Sequence, residues 1–146
     1  MIQIFVYGTL KPGEAYYERY CKPHVETAIA AWVRGQLYHL PQGYPAVTVG
    51  DGWVSGALLH LRDESALAAL DRFEDYDPAQ PPEANEYTRH CLPVFDSDRA
   101  PLGHAWVYLM AVERVQHYGG ILIPDGIWSR AQWHSIAPDS PYHRSR

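Results

Sequence analysis

The chain has 146 residues, a formal net charge of −5, 47% hydrophobic residues and 20% charged residues. That is ordinary usage for a single globular domain over 1–146 with a substantial core. A negative balance without any block of like charge argues against nucleic acid or an anionic membrane as partner. No apolar run reaches the roughly 18 residues of a membrane-spanning helix. The N-terminus lacks a basic region followed by a long apolar stretch, so a cytoplasmic location is expected. Two cysteines, Cys21 and Cys91, lie far apart and read as reduced, buried thiols.

Ile2-Gln3-Ile4-Phe5-Val6 reads as a buried strand, because it is a short apolar run rich in β-branched residues. Tyr7-Gly8-Thr9-Leu10 follows at once, then Lys11-Pro12-Gly13. Residues 14–21 contain no breaker and predict a short helix. Residues 28–40 carry Ile29, Trp32, Val33, Leu37 and Tyr38 and predict a strand bent at Gly35. After a turn at Pro41-Gln42-Gly43, residues 46–49 predict a short strand ending at Gly50-Asp51-Gly52. Residues 53–61 predict the next strand.

Asp63 is a plausible N-cap for a helix running to about Phe73. A polar, proline-rich stretch follows (Asp75, Asp77, Pro78, Pro81, Pro82, Glu83) and predicts a long surface loop, a rim or lid. Residues 87–95 and 102–110 predict two more strands. Beyond Val112 the pattern weakens: Gly119-Gly120 and Pro124-Asp125-Gly126 are turns, 127–134 a short helix and 138–146 an irregular tail. The sum is about six strands with a few short helices, joined mostly by connections too short for parallel crossovers. An α+β domain with an antiparallel or mixed sheet, curled or barrel-like, is expected.

Two segments could carry chemistry. Gly8 and Gly13 bracket a loop whose backbone can turn sharply and approach a ligand closely. N–H groups bunched at such a turn would cradle an oxyanion or carboxylate, and the plain alternative is a strand-to-helix connection without a ligand. In the helix after Asp63, Leu67, Leu70 and Glu74 fall at i, i+3 and i+7, while Asp71 and Arg72 fall towards solvent. If the helix runs through Glu74, its carboxylate lies on the core-facing side, where a raised pKa would suit a general acid/base. If the helix ends at Phe73, Glu74 is a solvated loop residue.

Tyr87 would be a core tyrosine with a satisfied hydroxyl, and Arg89 a partner for either a substrate carboxylate or a surface acid. Eight scattered histidines form no metal-binding spacing, so no metal site is expected. Cys91 adjoins His90, but neighbouring strand residues face opposite sides, and no Gly-x-Ser-x-Gly elbow is present. Neither nucleotide fingerprint nor enzyme nucleophile emerges.

Together these segments resemble the γ-glutamylcyclotransferase-like family. The resemblance rests on Phe5-Val6-Tyr7-Gly8-Thr9-Leu10-Lys11-Pro12-Gly13, on Leu70-Asp71-Arg72-Phe73-Glu74-Asp75-Tyr76 and on Glu86-Tyr87-Thr88-Arg89. Tyr44-Pro45-Ala46-Val47 and Trp106-Val107-Tyr108 agree more loosely. It spans about residues 2–110 and is closest to the γ-glutamylamine cyclotransferase branch. It implies a small mixed, mostly antiparallel barrel with helices around it, acting on a small γ-glutamyl substrate without a cofactor. The substrate's own α-amine would attack its γ-carbonyl, releasing 5-oxoproline and a free amine. Glu74 would be the catalytic acid/base, and Tyr7, Gly8, Thr9, Leu10 and Tyr87 would bind substrate. The alternatives are a non-catalytic domain binding γ-glutamyl or other small carboxylate ligands, and a hydrolase that releases glutamate.

Overall fold

The structure is a computed structural model and describes residues 2–133. Its strands are β1 (Ile2–Val6), β2 (Val25–His39), β3 (Pro45–Leu61), β4 (Thr88–Phe95), β5 (Pro101–Leu109) and β6 (Ile121–Leu122). Its α-helices are α1 (Glu64–Phe73), α2 (Val112–His117) and α3 (Arg130–Trp133). The sheet order is β3-β1-β5-β4-β2-β6, and β2 also pairs with β3. That extra pairing closes the first five strands into a ring, with β6 appended to β2. Only β1–β5 is parallel, through Ile4 and Trp106, among the described pairs. The fold is thus the mixed, mostly antiparallel, barrel-like α+β domain that the pattern predicts.

Two apolar layers hold it. One gathers Phe5, Val33, Leu37, Val54, Leu58, Val94, Val107 and Trp128, drawing on all five strands of the ring. The other packs Ile4, Val6, Leu59 and Leu61 against Leu67, Leu70 and Phe73 of α1. Strand alternation sends Ile4 and Val6 to one layer and Phe5 and Tyr7 to the other, so both faces of β1 are buried.

The β2–β3 ladder runs from Val25 opposite Leu61 to His39 opposite Pro45, with a register shift between Arg34 and Gln36. The predicted bend at Gly35 is this shift. A Cβ at Gly35 would lie 2.8 Å from Cγ1 of Val47 and 3.0 Å from the Thr48 carbonyl oxygen, so only glycine admits the approach. The predicted break at Gly50-Asp51-Gly52 is corrected: 45–61 form one strand that leaves the ladder between Thr48 and Trp53 and rejoins it. The Arg34 guanidinium donates to the Asp51 and Gly52 carbonyls, which holds the excursion in place where composition alone reads a turn.

Helix α1 begins as predicted. The Asp63 carboxylate accepts from the N–H groups of Ser65 (3.1 Å) and Ala66 (3.2 Å) and from the Ser65 hydroxyl (2.6 Å), and the hydroxyl first, then the Ala66 N–H, lower its pKa. The predicted helix over 14–21 is a run of turns and a single π-type turn, Tyr17–Cys21, followed by a 3-10 turn at Lys22–His24. Pro12, Gly13 and Pro23 crowd this segment, and Tyr16 and Tyr20 pack against the Phe73 ring. The predicted helix over 127–134 is α3 alone, because Trp128 is pulled fully into the core before it starts; His134 and the predicted tail at 138–146 lie outside the described residues. The polar stretch after α1 is a surface loop with a 3-10 turn at Pro82–Ala84. Helix α2 and strand β6 have no counterpart in the sequence reading. No described helix is long and apolar enough to cross a membrane.

Candidate active site

Strand β1 delivers Tyr7, Gly8, Thr9 and Leu10 to the rim of the ring. The Gly8 carbonyl accepts from the Lys11 N–H and the Thr9 carbonyl from the Tyr16 N–H, both at 3.0 Å. Among the described residues, no backbone carbonyl accepts from the N–H groups of Gly8, Thr9 or Leu10. Three consecutive amides therefore remain to serve a ligand or solvent at this turn. All four residues line a narrow pocket, with Tyr44, Pro45, Glu74, Tyr87 and Tyr108 on the other walls.

The far side of the loop is pinned by residues 128–130, a segment the sequence pattern predicts as helix and gives no part in the site. The Lys11 ammonium donates to the Trp128 carbonyl, and the Arg130 N–H donates to the Glu14 carboxylate at 3.2 Å. Burial lowers the Lys11 pKa, with Glu14 opposing the shift. Trp128 in turn donates its indole N–H to His39 Nδ1 at 3.0 Å.

Glu74 reaches the pocket by a route between the two predicted ones. The helix does end at Phe73, yet Glu74 is 9% exposed rather than solvated. It is the capping residue of a six-residue closure. The Tyr76 N–H donates to the Asp71 carbonyl at 2.8 Å, and the Asp75 N–H donates to the Arg72 carbonyl at 3.2 Å. Asp75 takes the left-handed conformation (φ 56°) that this closure requires. The Glu74 N–H still bonds the Leu70 carbonyl at 2.9 Å, so the cap directs the side chain with the buried face of α1.

Two buried hydroxyl- and thiol-bearing groups sense that carboxylate. The Cys21 thiol is pushed up to about 12 by burial and then by the charge of Glu74. The Tyr108 hydroxyl is pushed far above its usual range by burial first, then by its hydrogen bond to Asp71 and by the charges of Asp71 and Glu74. Both stay protonated at neutral pH and face Glu74 as dipoles, not charges.

Asp71 corrects the sequence reading. It is 7% exposed, not solvent-facing. Its carboxylate accepts from the Tyr108 hydroxyl at 2.6 Å and from the Arg89 guanidinium at 2.9 and 3.1 Å. Leu67, Asp71 and Glu74 fall at i, i+4 and i+7, so the spacing that pointed to Glu74 contained the signal for Asp71 as well. Arg89 accordingly pairs with a buried acid, Asp71, where a surface acid was one of the two expected partners. Its guanidinium lies over the rings of Tyr76 (5.5 Å) and Trp106 (4.4 Å) while gripping Asp71.

Of the predicted site residues, Tyr7, Gly8, Thr9, Leu10, Glu74 and Tyr87 all border the one pocket. Tyr87 is buried as expected, its hydroxyl donating to the Pro45 carbonyl at 2.8 Å. The Tyr7 hydroxyl donates to the Tyr108 carbonyl at 2.7 Å. Tyr44, whose hydroxyl donates to Glu86, and Tyr108 are pocket residues that the sequence reading gave no role. Cys21 is buried as expected, but Cys91 is exposed because it lies on the outer face of β4, and both are free thiols.

Residues 4–130 match the model of the family described as Gamma-glutamyl cyclotransferase, AIG2-like. A Vibrio cholerae protein provisionally named a gamma-glutamylcyclotransferase is 31% identical over 125 residues, covering 86% of this chain and 93% of that protein. The gamma-L-glutamyl-butirosin B gamma-glutamyl cyclotransferase of Niallia circulans is 30% identical over 109 residues, covering 74% of this chain and 67% of that protein. The crystal structure of an AIG2-like protein from Mus musculus superposes with a TM-score of 0.58 at 24% identity, covering 88% of each chain, which speaks for a shared fold. With the family match running across the amide turn, the helix cap bearing Glu74 and the clasp at Trp128, the chain belongs to the gamma-glutamyl cyclotransferase, AIG2-like family.

Proposed function

We propose that this protein is a γ-glutamyl cyclotransferase that uses no nucleophile of its own. The substrate is a γ-glutamyl amide with a free α-amine. That amine attacks the γ-carbonyl, a carbon–nitrogen bond forms to close a five-membered lactam, and the bond to the leaving nitrogen breaks. Atoms balance without water: the amine gives up one proton and the departing nitrogen gains one. Glu74 takes the first proton and returns it to the leaving group. The N–H groups of Gly8, Thr9 and Leu10 hold oxygens of the glutamyl moiety and oppose charge as it develops. Folding the glutamyl chain so that amine and carbonyl meet is the remaining task, and a narrow pocket is suited to it.

The observation that carries this reading is the juxtaposition, in one pocket, of a buried carboxylate, Glu74, with three consecutive amides that have no backbone acceptor among the described residues. The test is incubation with a panel of γ-glutamyl amides (amino-acid, lysine-derived and small-amine leaving groups) scored for 5-oxoproline by mass spectrometry. Stoichiometric 5-oxoproline and free amine from at least one member supports the reading. Ligand binding across the panel with no product would make this a non-catalytic binding domain.

A further inference from the structure

We propose that Asp71 and Arg89, acting with the Tyr108 hydroxyl, are positioning residues that fix where the Glu74 carboxylate stands relative to the Gly8–Leu10 amides. The inference rests on the proposed role of Glu74 as proton carrier and goes beyond it.

Three walls of the pocket meet at Asp71. Tyr108, on β5, lines the pocket and donates to it. Arg89, on β4, follows two residues after the pocket residue Tyr87 and pairs with it through two bonds. Glu74 follows one turn later on the same helix face, through the closure that uses the Asp71 carbonyl. Asp71 therefore anchors the end of α1 twice, by its backbone to Tyr76 and by its side chain to β4 and β5. Arg89 tightens the same knot from outside, since its guanidinium stacks on Tyr76, the residue that completes the closure.

Stability alone is a weak reason for such a network. Taking a carboxylate and a guanidinium out of water costs about what their attraction returns, and apolar residues of similar volume often serve as well or better. The pair does deliver direction: a bidentate guanidinium fixes the plane of a carboxylate, and with it the helix end. The ion pair is internally neutralised, so its effect on Glu74 is chiefly geometric. Tyr108 and Glu74 line the same pocket, and the Tyr108 hydroxyl reaches Asp71 at 2.6 Å.

The experiment is a double-mutant cycle. Tyr108→Phe deletes one bond and leaves the ion pair buried and paired. It should lower kcat at least about tenfold with KM changed less than about threefold, as a misplaced proton carrier would. In the Glu74→Gln background the same substitution should cost nothing more, because the group it positions is gone. Arg89→Lys, which keeps the charge and loses the fork, should repeat the pattern. Wild-type kcat in both variants, or losses that add independently of Glu74, would overturn the proposal. If the wild-type protein turns over no γ-glutamyl amide, the functional reading fails on its own. Positioning is then decided by the carboxyl carbon resonance of Glu74, identified by its absence in Glu74→Gln. Displacement in Tyr108→Phe while the Glu14 resonance stays put supports positioning, and an unmoved Glu74 resonance overturns it.

Discussion

A Cβ placed on Gly8 would lie 2.5 Å from Cγ of Pro45, so the amide turn and the first residue of β3 touch backbone to ring. No side chain fits at residue 8 without pushing β3 away. Gly8→Ala should destabilise the fold by roughly 1–3 kcal/mol, the usual cost of overpacking, and reduce turnover more than tenfold by displacing the amides. Thermal unfolding and steady-state kinetics read the two effects separately. A variant with wild-type Tm and kcat would mean that the turn is not held by this contact.

Tyr87 supports the same contact from the opposite side. Its hydroxyl donates to the carbonyl of Pro45, and both residues are buried. Tyr87→Phe leaves that carbonyl without its donor, and the expected cost is about 1–3 kcal/mol of stability. Urea denaturation should register it as a lower midpoint at unchanged slope.

His39 gives the fold a dependence on acid. Burial lowers its pKa from 6.5 to about 4, so the imidazole is neutral in the folded protein where the unfolded chain would carry a proton. Between those values the unfolded state binds more protons, and stability must fall as the pH falls. The loss begins near pH 6.5 and is complete a little below pH 4, and amounts to about 3 kcal/mol from this group. Denaturant midpoints at pH 7 and pH 4.5 should differ more for the wild type than for His39→Gln. Equal pH slopes in the two proteins would mean that His39 is not the source.

Local rules made much of this legible in the sequence. Asp63 caps α1 because a short carboxylate before an apolar-periodic run satisfies the first free amides, and β1 is buried because its run is continuous. Where reading failed, a non-local partner had overridden a local signal. Gly50-Asp51-Gly52 has the composition of a turn, but Arg34 across the ladder holds it within one strand. Asp71 is placed towards solvent by the helix stripe through Leu67, Leu70 and Glu74, until Arg89 and Tyr108 arrive from strands 18 and 37 residues away. Trp128 sits where the sequence pattern is weak and predicts a helix, and only the folded ring provides the core that it fills and the Lys11 that it clasps. Helix spacing leaves Glu74 open between a buried face and a solvated loop, and the resemblance of Leu70–Tyr76 to the family motif is what singles it out; it is the cap after Phe73 that leaves it buried.

On the proposed mechanism, Glu74→Gln preserves shape and hydrogen bonding but cannot carry the proton. Turnover should fall by roughly 10²–10⁴-fold with the fold intact. Activity within a few-fold of wild type, in protein with an unchanged near-ultraviolet dichroism spectrum, would remove Glu74 from the chemistry and leave the pocket without an acid/base.

The most direct measurement compares a γ-glutamyl amide that the protein turns over with the same compound acetylated on its α-amine. Intramolecular attack requires that amine as nucleophile. The account predicts 5-oxoproline and no glutamate from the free amine, and no product from the acetylated form. Release of N-acetylglutamate from the acetylated amide would mean that water attacks the γ-carbonyl, and would contradict the cyclotransferase mechanism whatever the behaviour of Glu74→Gln.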